Sequence, residues 1–86
     1  MAVIWKWTLD LKSKQVLTVP IDTKFRYVAF QGVNLCLWGE TNTRNKNFHQ
    51  EIYIVGTGDT VPKDSKYIGT VLQLNDNFVW HVYCEE

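Results

Sequence analysis

Gly56-Thr57-Gly58-Asp59 follows an apolar strand pattern and comes closer than any other stretch of the chain to a motif for binding chemistry. A phosphate loop needs a Gly-Lys-Ser/Thr ending, and a dinucleotide loop needs a third glycine opening a helix. Neither is present. Asp59 would repel a phosphate, and Pro62 and Asp64 leave no helix terminus aligned behind the glycine pair. The stretch reads as a turn at a strand exit. A weaker role stays open, in which the successive amides of Gly56, Thr57 and Gly58 form a small anion-binding nest helped by Lys63 or Lys66.

Other reactive side chains are poorly arranged for catalysis. His81 and Cys84 are three apart on a strand pattern, which turns them to opposite faces, and His49 lies in or beside a polar stretch. This spacing does not suit zinc. Cys36 and Cys84 sit in apolar strands, where burial raises a thiol pKa and favours a structural role. The carboxylates Asp10, Asp22, Glu40, Glu51, Asp59, Asp64 and Asp76 fall mostly at strand ends and turns, where solvated acids belong, and no pair has a spacing that demands acid/base work. No enzyme is expected, and no metal or cofactor is implied.

Aromatic and cationic residues fit binding better. Trp38 falls on the face of its strand with Cys36 and Glu40, away from Leu35 and Leu37, so it could stack on a base or anchor a partner as well as pack internally. Arg26 lies on the face opposite Phe25 and Tyr27. With Lys24 and Trp38 it could hold an aromatic anion such as a nucleotide. Arg44 and Lys46 add a second basic concentration suited to an acidic protein partner.

Seven strands must position these residues. Residues 3–10 alternate with period two, placing Val3, Trp5, Trp7 and Leu9 on one side. Residues 15–19, ended by Pro20, form a second strand, and the polar turn between the two predicts a hairpin. Residues 25–31 and 34–40 flank Gly32-Val33 as another hairpin. Residues 41–47 are polar throughout and predict an exposed loop or hairpin tip outside the core. Residues 50–55 form a strand, 56–66 a long loop, and 67–74 and 78–83 a last hairpin around 75–77. No window has convincing helical periodicity. The expectation is an all-β fold, a small antiparallel sandwich or barrel with little or no helix, forming one domain over residues 1–86. Apolar residues on both faces at Ile68, Val71, Leu72 and Leu74 imply cover on the second side, from the other sheet or from another subunit.

The composition sets limits. The 86 residues are 45% hydrophobic and 21% charged, with nine basic and nine acidic side chains, which suits a globular chain rather than a disordered one. Zero net charge gives no attraction for duplex nucleic acid or an anionic membrane. Two cysteines are too few for a disulfide-dependent secreted domain, and the start lacks the features of a signal peptide. A cytoplasmic protein with reduced thiols is expected. Four Trp, four Tyr and four Phe are more than a minimal core needs, leaving aromatic surface for a ligand or partner.

Ile4-Trp5-Lys6-Trp7-Thr8-Leu9, Cys36-Leu37-Trp38, Gly56-Thr57-Gly58, Tyr67-Ile68-Gly69-Thr70 and Val79-Trp80-His81-Val82, in this order, resemble a family of small tailed-phage proteins of unknown function. The resemblance spans nearly the whole chain, and Asp59 departs from it where His is the expected residue. It implies a protein acting in the cytoplasm of an infected bacterium and brings no catalytic residue. Three functions are compatible: sequestration of a nucleotide-derived immune signal, surface inhibition of a host enzyme or CRISPR/defence complex, and a structural or accessory role in the virion. The first draws on Arg26, Trp38, Gly56, Thr57, Gly58 and Lys63 as ligand contacts in a homo-oligomer, and the second on Arg44 and Lys46.

Overall fold

A computed structural model describes every residue except Leu74 and Asp76, so the expectations placed on those two lie outside the described residues. The described residues form seven strands and no helix: β1 Ala2–Leu9, β2 Lys14–Pro20, β3 Lys24–Gln31, β4 Asn34–Asn42, β5 Asn47–Gly56, β6 Ser65–Gln73 and β7 Phe78–Glu85. All pairings are antiparallel. One sheet, A, has the order β1-β4-β3, and the other, B, has the order β2-β5-β7-β6. The architecture is an open sandwich and not a closed barrel.

Alternation along the strands builds the core between the sheets. Leu9, Val28, Leu35 and Leu37 point inward from sheet A, and Ile52, Ile54, Val71, Val82 and Cys84 meet them from sheet B. Removing this apolar surface from water is the main stabilising contribution. The sheets approach most closely where β3 lies on β6: a Cβ on Gly69 would come within 2.8 Å of a Val28 methyl, so glycine is needed for that contact. Among the described residues, no helix is long and apolar enough to cross a membrane.

The expected hairpin between β1 and β2 does not form. β1 pairs with β4 and β2 with β5, so the connection is a corner between sheets. Gln15 explains the corner: its side chain donates to the Asp10 carbonyl at 2.7 Å and accepts from the Asp10 amide at 3.0 Å, occupying backbone groups that a hairpin would use. The expected hairpins of β3 with β4 and of β6 with β7 are present, the first turning at Gly32 with φ of 64°.

The polar stretch 41–47 is a turn only in its middle, and its two ends belong to strands. β4 continues to Asn42 and β5 starts at Asn47, which leaves a short turn. Thr41 is buried rather than looped out, because its hydroxyl meets that of Thr23 at 2.9 Å. The turn is tied down by Asn45, whose side chain donates to the Ile21 carbonyl at 2.9 Å, and by the Ile21 amide, which donates to the Lys46 carbonyl at 2.8 Å.

Tyr27 was expected on the face opposite Arg26. A bulge between Phe25 and Tyr27 inserts one extra residue, so Phe25 packs inward on Trp7 while Arg26 and Tyr27 both reach the outer face.

Candidate functional site

The outer face of sheet A is built around Trp38. On β4, Leu35 and Leu37 point into the core, so alternation turns Cys36, Trp38 and Glu40 outward. Register sets Trp38 between Lys6 of β1 and Tyr27 of β3. The Tyr27 and Trp38 rings lie 5.8 Å apart at 47°, and Tyr27 is 61% exposed. Ile4, 59% exposed, sits two residues along β1 from Lys6 on the same face. Polar contacts frame these apolar groups. Lys6 Nζ donates to Gln31 Oε1 at 2.7 Å, and Arg26 Nη2 meets Glu40 Oε1 at 3.3 Å. Both partners of the ion pair are well exposed, so it contributes little to stability.

The glycine turn lies on the other sheet. The Gly56 amide donates to Asp59 Oδ2 at 3.2 Å, and the Asp59 amide donates to the Gly56 carbonyl at 3.1 Å. These bonds close the turn on itself and place a carboxylate inside it, opposite to the needs of an anion nest. Gly58 has a φ of 94°, which an L side chain avoids.

Thr57 then fastens the turn to the outer face of sheet B. Its hydroxyl lies 3.0 Å from His81 Nε2, while His81 Nδ1 lies 3.0 Å from the Thr70 hydroxyl. Tyr67 extends the chain by a 2.5 Å hydrogen bond between its hydroxyl and that of Thr70. A shallow cavity of about 230 Å³ opens beside this row, lined by Thr57, Gly58, Asp59, Val61, His81 and Tyr83 among others.

Arg26 and Trp38 therefore lie together on the outer face of sheet A. Gly56, Thr57 and Gly58 lie with His81 on sheet B, and the two outer faces point away from one another. Lys63 is exposed in the connection after the turn. Arg44 and Lys46 are exposed in the turn between β4 and β5, where the Arg44 amide donates to Asn42 Oδ1 at 3.0 Å. One protomer does not assemble the expected nucleotide contacts into a single pocket.

The cysteine and histidine side chains are buried or hydrogen-bonded within the fold. Cys36 and Cys84 are free and buried, and burial pushes the Cys84 thiol above its ordinary value, which disfavours the thiolate. His49 Nδ1 lies 3.2 Å from the Thr18 hydroxyl, apart from the His81 row. Among the described residues, no three His, Cys, Asp or Glu side chains gather to hold a metal ion.

Sequence reasoning missed two participants. Tyr27 was hidden by the bulge, although inward apolar residues at 25, 28 and 30 break strict alternation and carry its signal. Sequence spacing marks His81 only as a metal ligand or base, whereas it fastens the glycine turn to the sheet.

Comparison with curated proteins and with solved structures finds no match. A family model does match, over residues 1–86, and the chain belongs to that family, described as Domain of unknown function (DUF7352).

Proposed function

We propose that the protein is a non-enzymatic binding module of phage origin that docks the outer face of sheet A onto a host protein, such as a defence component. The observation that supports this is the grouping of Tyr27, Trp38 and Ile4 on three adjacent strands, with Lys6, Gln31, Arg26 and Glu40 around them. An aromatic centre with a polar rim is the arrangement that carries energy in protein interfaces. Tyr27 gives up little conformational freedom on docking, since its ring already rests on Trp38. Sequestration of a nucleotide finds less support, because its expected contacts divide between opposite faces.

The test is quantitative capture from lysates of infected bacteria with immobilised wild type, Tyr27→Ser and Thr57→Val, alongside calorimetry with a nucleotide panel. The proposal expects one host protein retained by wild type and Thr57→Val and lost with Tyr27→Ser. Nucleotide binding without a protein partner, or capture that is indifferent to Tyr27, would contradict it.

A further inference from the structure

Four strands form sheet edges, and three of them carry features that discourage pairing with another chain. β3 has a bulge with Lys24 and Arg26 beside it and lies against β6. β6 has a bulge between Tyr67 and Gly69, and β2 begins at Lys14 and ends at Pro20. β1 differs. It runs in unbroken register with β4 from Ala2 to Leu9, without a bulge, proline or glycine, and with Lys6 as its sole charge. Such an edge presents backbone donors and acceptors ready for another strand.

Its inward side is also incompletely covered. Leu9 is buried and Trp7 packs edge-on against Phe25, but Trp5 is 43% exposed and Val3 38% exposed. Contacts between the sheets concentrate at β3 and β6, on the opposite side of sheet A. β1 thus carries uncovered apolar groups on both faces, since Ile4 is exposed on the outer one.

We propose that two copies of the chain pair antiparallel through their β1 edges, with Trp5 facing Trp5, so that two three-stranded sheets join into one of six strands. Directly opposed residues share a face. A register centred on Trp5 sets Val3 against Trp7, Ile4 against Lys6 and Ala2 against Thr8 of the second copy. The two Lys6 ammonium groups avoid direct opposition, each being held towards β3 by its bond to Gln31.

Charge supports this occupant. In the same register Asp10 of the second copy passes the N-terminal end of β1. There Ala2 pairs with Asn42, and the chain of β4 continues to Arg44. Two strand spacings, about 10 Å, separate those backbones, a gap that an arginine side chain can bridge. Arg44 lines a cleft of about 420 Å³ there with Met1 and Val3. The two-fold axis makes the Asp10–Arg44 pairing twice.

Sedimentation equilibrium of the isolated protein over a concentration series tests this separately from partner capture. Wild type should reach twice the monomer mass. Ile4→Lys, at an exposed site that leaves the fold intact by circular dichroism, should weaken the dimer at least tenfold by placing a lysine opposite Lys6. Arg44→Asp should weaken it severalfold, and adding Asp10→Arg should restore it. A wild type that stays monomeric throughout, a dimer indifferent to Ile4→Lys, or a charge swap that fails to restore association would overturn the proposal.

Discussion

The two outer faces of the sandwich differ in how their exposed side chains are used. On sheet B, polar groups satisfy one another: Thr57, His81, Thr70 and Tyr67 form one row, and Tyr53 donates to Glu51 at 2.6 Å. The exposed Val16 and Leu72 stand on the two margins of that sheet, on β2 and β6. On sheet A, Ile4, Trp38 and Tyr27 sit on neighbouring strands, with Ile4 and Tyr27 exposed and Trp38 half-buried between them. Isolated apolar residues on a surface are ordinary, whereas a contiguous group with a polar rim marks a contact surface. On the proposed reading, the face with more reactive residue types is the structural one.

Substitutions on opposite sides of β4 give the largest contrast. Leu37→Ala empties a fully buried site and should lower stability by about 2–5 kcal/mol in chemical denaturation. Trp38→Ala, on the outward side, should cost less stability and reduce partner capture. Equal losses of stability would show that Trp38 is a core residue and dissolve the contrast between the faces.

A smaller effect belongs to the glycine turn. Gly58→Ala forces a side chain onto a backbone with φ of 94° and should cost about 1–2 kcal/mol while leaving capture unchanged. Loss of partner binding in the folded variant would move the functional surface to sheet B.

The smallest effect is a dependence on pH from Tyr53 and Glu51. Their hydrogen bond lowers the Glu51 pKa, assisted by Lys14, and raises that of Tyr53 to about 12. The Glu51 contribution is present above its unfolded pKa and fades as pH falls through the folded one. The Tyr53 contribution has the opposite sign. It is complete below the ordinary tyrosine value of about 10 and disappears as pH rises through about 12. Denaturation midpoints of Tyr53→Phe should show a shallower fall at both extremes than wild type, and identical profiles would remove the coupling.

Strand alternation made much of this molecule legible before its structure. It located seven strands, set Trp38 opposite Leu35 and Leu37, and separated His81 from Cys84. Three features escaped it for physical reasons. A polar connection after β1 serves a corner as well as a hairpin, and the Gln15 side chain that decides between them is a tertiary contact. The polar end of β4 looks like loop until Thr23 supplies a partner for Thr41. The bulge at Arg26 moves Tyr27 to the outer face, so the centre of the candidate surface was only half visible in the sequence.

The most direct test compares capture of a host protein by Tyr27→Ser and by Thr57→Val at equal immobilised amounts. Docking through sheet A predicts at least a tenfold loss for Tyr27→Ser and unchanged capture for Thr57→Val. Retention by Tyr27→Ser with loss in Thr57→Val would contradict the account and assign the surface to the His81 row.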